Sequence, residues 1–525
     1  MARLKLFIFI CLVASISGQC TISRAQNYFK RAVYDFSAEL ASRISQETEA
    51  HFIASGLSPW TLISALSLGA TQETLVEIVR VLKLHSQQCF NDKFFDIARE
   101  LTTLTNETIL ERSAAIFVDQ RLDVKEDFLI DVSNTGICDI NVLAFEEHAS
   151  TAAYINDFIS KATHEAIDEI VTPQDLDGAY VVMIDALFFR GAWKLHFPYA
   201  DTEVSTFYDD KGAQIGDVNL MYVSGSFNLV PVRLVQARVL ELPYGNQNRY
   251  SMLIFLPAPG VTVNTVLDKL QLISLRSIFT LFKQYGETEV AVQIPRFKIT
   301  SDINNLKELL IDMGLKKMFD SGQAKFELLA SYDLYVSNFI QKADIEVSED
   351  GTVASAVDEA VLESRMLVEQ FVANKPFLFM IVDKVTEIPL FTGAYSNILT
   401  YSLYKYKKNL WSFHTAPSSP KLSKACKYYG NQITDTILIY FLFVNTYIEY
   451  NITPRRRINI DVHHTNFYPG WESNPQITVK KAGILPTELS GQSNDDDNDP
   501  LFAKTMPYFE CSYLRMVEDR FRERG

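Results

Sequence analysis

The sequence predicts an α+β domain, and three observations carry that prediction. Apolar residues recur at helical spacing through roughly the first third of the chain. Continuous apolar, β-branched runs dominate from about residue 178 to 398. No segment repeats another, so a solenoid or propeller is excluded. Helices grouped before strands segregate into layers rather than alternating around a parallel sheet.

The elements follow in order. Arg3 and Lys5 precede an apolar run from Leu6 to about Ile16, with small Ser15, Ser17 and Gly18 behind it. That pattern reads as a secretory signal over residues 1–19 and is too short for a membrane span. Phe29, Val33, Phe36, Leu40 and Ile44 form a helical stripe. Ser58 and Pro59 open a second helix, Ser as cap and Pro in the first turn, which Gly69 ends. Its apolar residues lie nearly all round, so burial is expected. TQETLVEIVRVL and TAAYINDFISKATHEAI are amphipathic helices.

YVVMIDALFF is a strand with both faces buried. VLELPY, SMLIFLP and VAVQIPRFKI are further strands, LKELLIDMGLKKMF is a helix, and KPFLFMIVD with EIPLFTGAY makes a hairpin-like pair. Past residue 399 the apolar periodicity stops. ILIYFLFV is far short of a membrane span, and the Arg455–Arg457 and Asp495–Asp497 runs read as solvated. Residues 399–525 are expected to be a disordered extension or a gene-model artefact outside the mature product.

Composition narrows the function. A net charge of −15 argues against a nucleic-acid surface. No nucleophile elbow, phosphate loop or paired metal motif is present. His164-Glu165 begins like a zinc-protease helix, but Asp168 stands where the second histidine is needed. An enzyme, a metal site and a cofactor are therefore not expected. Six cysteines at wide, irregular spacing give no disulfide framework, and the state of Cys20, Cys89 and Cys138 stays open. Asn106-Glu-Thr108 is a glycosylation acceptor if the chain is secreted, and Asn451 heads a second match.

Taken together and in order, the segments resemble the serpins, a family of serine-protease inhibitors. The resemblance runs from about residue 27 to 398. FIASGLSPWTLISALSLGATQETLVEIVRVL is similar to the family's B and C helices, VVMIDALFFRGAWKLHF to the third strand of sheet A with its Trp turn, and KADIEVSEDGTVASA to the hinge of the reactive loop. VLELPY…SMLIFLP and KPFLFMIVD…PLFTGAYSN are similar to central sheet B strands.

The resemblance implies the serpin fold: three β-sheets A, B and C, about eight or nine helices and an exposed reactive-centre loop. It also implies suicide inhibition. A protease cuts the loop, stays bound as an acyl-enzyme, and is dragged away as the loop enters sheet A. Glu349, Gly351, Thr352, Ala354, Ser355 and Ala356 would form the hinge. Glu349 would pair with Arg296. Ser58, Thr61, Asp185, Trp193 and Gln341 would hold the sheet closed, Asp185 and Gln341 standing where the family usually has Asn and His. Asp185 could also be a capped strand-end acid.

The scissile bond would be Arg365–Met366. Arg365 lies sixteen residues past Glu349, and the family spacing back from Pro376-Phe377 gives the same residue. Ser364 and Met366 are the fallback sites. A guanidinium there suits a trypsin-like pocket ending in a carboxylate. With Thr352 facing in, small or apolar residues alternate inward as far as Ser364, with one misfit, Asp358. A carboxyl turned inward should slow insertion and make the inhibitor leak.

The expected partner is thus an extracellular trypsin-like protease, without nucleic acid or membrane, and the protein a secreted monomer. The segment CFNDKFFDIARELTTLTNET carries only Lys93 and Arg99, so heparin activation is not expected. A non-inhibitory carrier or chaperone serpin is the alternative.

Overall fold

The computed structural model describes residues 20–398 apart from 102–107, 164, 166, 304 and 353–367. Nine α-helices lie among the described residues: α1 Ile22–Glu47, α2 Leu57–Leu66, α3 Gln72–Leu82, α4 Gln88–Leu101, α5 Glu126–Thr135, α6 His148–Ala162, α7 Val263–Lys269, α8 Leu275–Tyr285 and α9 Leu306–Asp312. The strands are β1 Phe52–Ala54, β2 Thr108–Asp119, β3 Asp139–Leu143, β4 Val181–Ala192, β5 Glu203–Tyr208, β6 Gln214–Val232, β7 Ala237–Pro243, β8 Tyr250–Pro257, β9 Glu287–Pro295, β10 Phe297–Ile303, β11 Val336–Ser348, β12 Gly351–Thr352, β13 Glu369–Val372, β14 Phe377–Asp383 and β15 Ile388–Tyr395.

One sheet runs β10-β11-β12-β4-β2-β3, with β11 also paired to β4 directly. A second runs β1-β15-β14-β8-β7-β6, and a third, β5-β6-β9-β13, shares the long strand β6 with it. The α+β class and the three sheets are as expected.

The predicted stripe of α1 is buried throughout, at Phe29, Val33, Phe36, Leu40 and Ile44. All ten residues of α2 are buried, as an all-round apolar helix requires. Isoleucines of α6 pack on the outer face of the first sheet, Ile155 and Ile159 joining Phe117, Val182, Ile184 and Ile340 in a second, smaller core.

Three readings change and one open point closes. Ser58 is no cap: Gly56 takes that position, and the Ser58 hydroxyl turns into the core from the first helical turn. VAVQIPRFKI is two strands, because the chain leaves the third sheet after Pro295 and enters the first at Phe297. Helix α9 stops at Asp312, ahead of Gly314 at φ +108°, and a separate 3-10 turn follows at Lys317–Phe319. Finally, Cys20 and Cys89 are joined in a disulfide, while Cys138 remains a half-buried thiol. Irregular spacing hid that bridge, since the fold alone brings the start of α1 beside the start of α4.

Candidate functional site: a hinge and a sheet that can part

Strands β4 and β11 run parallel and in contact from Val181/Val336 to Phe188/Asp344. Above that point they diverge, and β12 fills the gap. Thr352 pairs with Val347 on one side and Gly191 on the other; Gly351 pairs with Ser348 and Ala192. The chain therefore turns at Ser348–Gly351 and starts back down between its own neighbours. Gly351 is required there: its φ is +139°, and a Cβ would lie 2.2 Å from the Gly191 carbonyl oxygen.

The turn is held from several directions. Trp193 donates its ring N–H to the Ser348 carbonyl at 2.9 Å and its backbone N–H to the Asp350 carbonyl at 3.0 Å. Its ring stacks on Tyr244, centroids 4.5 Å apart. The Glu349 carboxylate has no solvent exposure and is gripped by Arg296 and by the Thr202 hydroxyl at 2.7 Å. A buried carboxylate needs such a charge-assisted partner. The next residue, Asp350, accepts from the Tyr199 hydroxyl at 2.5 Å. That bond, aided by burial and the negative charges of Asp350 and Glu349, pushes the Tyr199 phenol up to about 12.

Lower down, Asp185 and Gln341 occupy facing register positions on β4 and β11. The Gln341 amide donates to Asp185 at 2.7 Å and to the Ser55 carbonyl at 2.9 Å, and its oxygen accepts the Ser55 N–H at 3.1 Å. The Ser58 hydroxyl donates to the other Asp185 oxygen, and Thr61 bonds back to the Ser58 carbonyl at 2.8 Å. Asp185 thus lies inside β4, fully buried, and the reading as a capped strand-end acid is wrong. One polar cluster ties α2 to both strands of the pair.

The structure therefore brings together Glu349, Gly351, Trp193 and Arg296 at the turn, and Ser58, Thr61, Asp185 and Gln341 below it. The backbone of Thr352 belongs to the first group. Ala354, Ser355, Ala356, Asp358, Arg365 and Met366, and also Asn106, lie outside the described residues. Sequence reasoning missed Tyr199, Thr202 and Tyr244. Tyr199 and Thr202 sit on a short connecting segment with no periodic signal, and Tyr244 closes the run VLELPY; only their contacts reveal their part in the site. No group of acidic, histidine or cysteine side chains fit for a metal occurs among the described residues.

The inner strands β4 and β11 thus diverge around the first two residues of the segment that follows β11. The chain belongs to the serpin family. The family model described as serpin (serine protease inhibitor) matches residues 31–398. Human glia-derived nexin is 30% identical over 339 residues, covering 63% of this chain and 84% of the nexin. The antitrypsin of Bombyx mori is 26% identical over 397 residues, covering 74% and 99%. A solved structure of native protease nexin-1 with heparin superposes with a TM-score of 0.63 at 25% identity, over 71% of this chain and all of that one.

Proposed function

We infer that this protein is a secreted suicide-substrate inhibitor of trypsin-like serine proteases, with its body spanning residues 27–398. The observation that carries the reading is β12: Gly351 and Thr352 are already paired on both sides, so the loop beyond them needs only to continue downward. Residues 353–364 entering between β4 and β11 would gain two ladders while breaking one. Each ladder bond is worth on the order of 1 kcal/mol net, so the gain is large once the loop is cut. The cut falls at Arg365–Met366, and Arg365 addresses a carboxylate-lined primary pocket.

Secretion rests on the leader pattern of residues 1–19, and glycosylation at Asn106 follows from it. The Cys20–Cys89 disulfide fits an oxidising compartment. Activation by heparin is not part of the reading: Lys93 and Arg99 are the only basic residues of α4, and Arg99 is paired with Asp96. Asp358 would face inward once the loop is inserted and so predicts a leak, and Asp358→Thr should lower the stoichiometry of inhibition towards one.

The test is incubation with trypsin, followed by denaturing gel and mass spectrometry. An SDS-stable complex should form, and the released fragment should begin at Met366. Arg365→Ala should abolish inhibition of trypsin, and Arg365→Lys should largely keep it. A cleaved chain without a complex would favour the carrier alternative. A fragment beginning elsewhere would overturn the site.

A further inference from the structure

A cavity of about 460 Å³ lies between α3, α4 and the link that joins them. It shares no lining residue with the hinge or with the polar cluster around Asp185. Small organic ligands occupy sites of roughly 300–1,000 Å³, so the space is sufficient for one.

The wall is aliphatic and aromatic. Leu75 and Val79 of α3 stand one turn apart on the same helix face, Phe94 comes from α4, and Trp60 and Leu68 come from α2 and the loop after it. Leu68, Leu75, Val79 and Leu84 are only half-buried, and Leu328, which also lines the cavity, is 55% exposed. Single exposed leucines are ordinary on a protein surface. Five part-exposed aliphatic side chains around one hollow mark a place where something apolar can be covered. No lysine, arginine, aspartate or glutamate is among the described residues that line it.

The polar lining residues come mostly from the link and the start of α4. Most of them are already engaged. The Asn91 side-chain oxygen accepts the His85 N–H at 2.8 Å, and its amide donates to the His85 carbonyl at 2.9 Å. The Gln88 amide donates to Asp92 at 2.9 Å. His85 differs. Its ring packs on Phe90 and Tyr28, with centroids 4.1 and 4.9 Å away, so its orientation is fixed. Its Nδ1 accepts the Gln87 N–H at 3.0 Å, which leaves the ring hydrogen on Nε2. Nε2 has no hydrogen-bond partner among the described residues.

We propose that this cavity binds an uncharged amphiphile: a lipid-like molecule with an aliphatic body and one hydroxyl or carbonyl oxygen, which accepts from His85 Nε2. A carboxylate or an ammonium would lose water against a wall that offers no opposite charge. The proposal is independent of the loop-insertion reading, because neither the site nor its test involves a protease.

The experiment titrates the full secreted chain with 1-decanol, 1-octanol and decanoate, followed by calorimetry and by the thermal midpoint. 1-Decanol should bind at one saturable site and raise the midpoint. 1-Octanol, two methylenes shorter, should bind about tenfold more weakly. Decanoate, with the same chain and a charged end, should bind about tenfold or more weakly than 1-decanol. Val79→Trp fills the hollow and should abolish binding. Leu328→Trp acts from the exposed edge and should do the same without disturbing the core, so a first variant that fails to fold leaves the test standing. His85→Phe keeps an aromatic ring on Phe90 but removes the donor, and should weaken 1-decanol about fivefold, the worth of one hydrogen bond. Absence of saturable binding, or binding that survives in the folded tryptophan variants, would overturn the site. Decanoate binding as well as 1-decanol would overturn the uncharged class, and an unchanged affinity in His85→Phe would overturn the role of Nε2.

Discussion

Gln341 on β11 donates its amide to Asp185 on β4 across 2.7 Å, at the register position where the two strands face each other. These are the strands that, on the insertion reading, an entering loop would part. The same Asp185 accepts from Ser58 of α2, so one carboxylate ties a fully buried helix to the strand pair. Asp185→Ala removes the shared acceptor. It should destabilise the closed body by about 2–3 kcal/mol, the cost of stranding buried donors. It should also speed uptake of a synthetic peptide of residues 352–364. A higher thermal midpoint, or slower peptide uptake, would contradict this role.

Gly351 gives a sharper test of the hinge. Any side chain there meets the Gly191 carbonyl oxygen, a backbone atom of β4 that cannot step aside without moving the strand. Positive φ adds strain for a residue with a Cβ. Gly351→Ala should therefore push β12 out of its double pairing at a cost on the order of 2–3 kcal/mol. The expected result is a shift from trapped complex to cleaved, unbound chain when trypsin is added. Unchanged partitioning would mean that β12 is not the starting point of insertion.

The helices and central strands were legible because burial imposes period on sequence. The stripe of α1 and the all-apolar α2 are direct consequences. The Glu349–Arg296 contact was reached through resemblance, and the structure places both residues together. What stayed hidden was non-local. Ser58-Pro59 has the form of a helix start, yet the hydroxyl serves a carboxylate far along the chain at Asp185. Arg296 sits inside an apolar run that looks continuous, and only the change of sheet shows the corner. Tyr199 and Thr202 lie on a short link whose sole distinction is what it touches.

His51 makes stability depend on pH. Its ring nitrogen Nδ1 accepts from the N–H of Asn397 at 3.1 Å and of Ser396 at 3.4 Å, and the ring packs against Tyr395. Glu49, on the same loop, offers its backbone carbonyl to the Ser396 hydroxyl, so the neutral ring fastens the end of β15. Burial lowers the His51 pKa to about 4. A depressed histidine contributes its stability in full above the unfolded value, near 6.5, and loses it as pH falls towards 4. The loss should be on the order of 3 kcal/mol. His51→Gln keeps an acceptor without the titration. Thermal midpoints at matched scan rate should fall more steeply for the parent than for the variant between pH 6.5 and 4. Parallel curves would show that another group carries the dependence.

The disulfide offers a prediction that is independent of any loop movement. Cys20 precedes the α1 cap residue Thr21, and Cys89 lies in the first turn of α4, 69 residues further along the chain. Closing a loop of that length removes denatured-state entropy worth about 4 kcal/mol in the chain-entropy account. The bond also pins the start of α1, whose Phe29 ring meets Trp60 of α2 edge-on at 5.2 Å and Phe94 of α4 at 5.6 Å. Replacing both cysteines by serine avoids a leftover thiol that could pair with Cys138. The double variant should fold, since those ring contacts remain, but should melt roughly 5 °C or more below the parent. Reducing the parent under native conditions should reproduce the shift, and reducing the variant should change nothing. Peptide mapping before and after reduction and alkylation should place one bridge between Cys20 and Cys89. Equal melting of parent and variant would mean that helix packing alone fixes this end of the body.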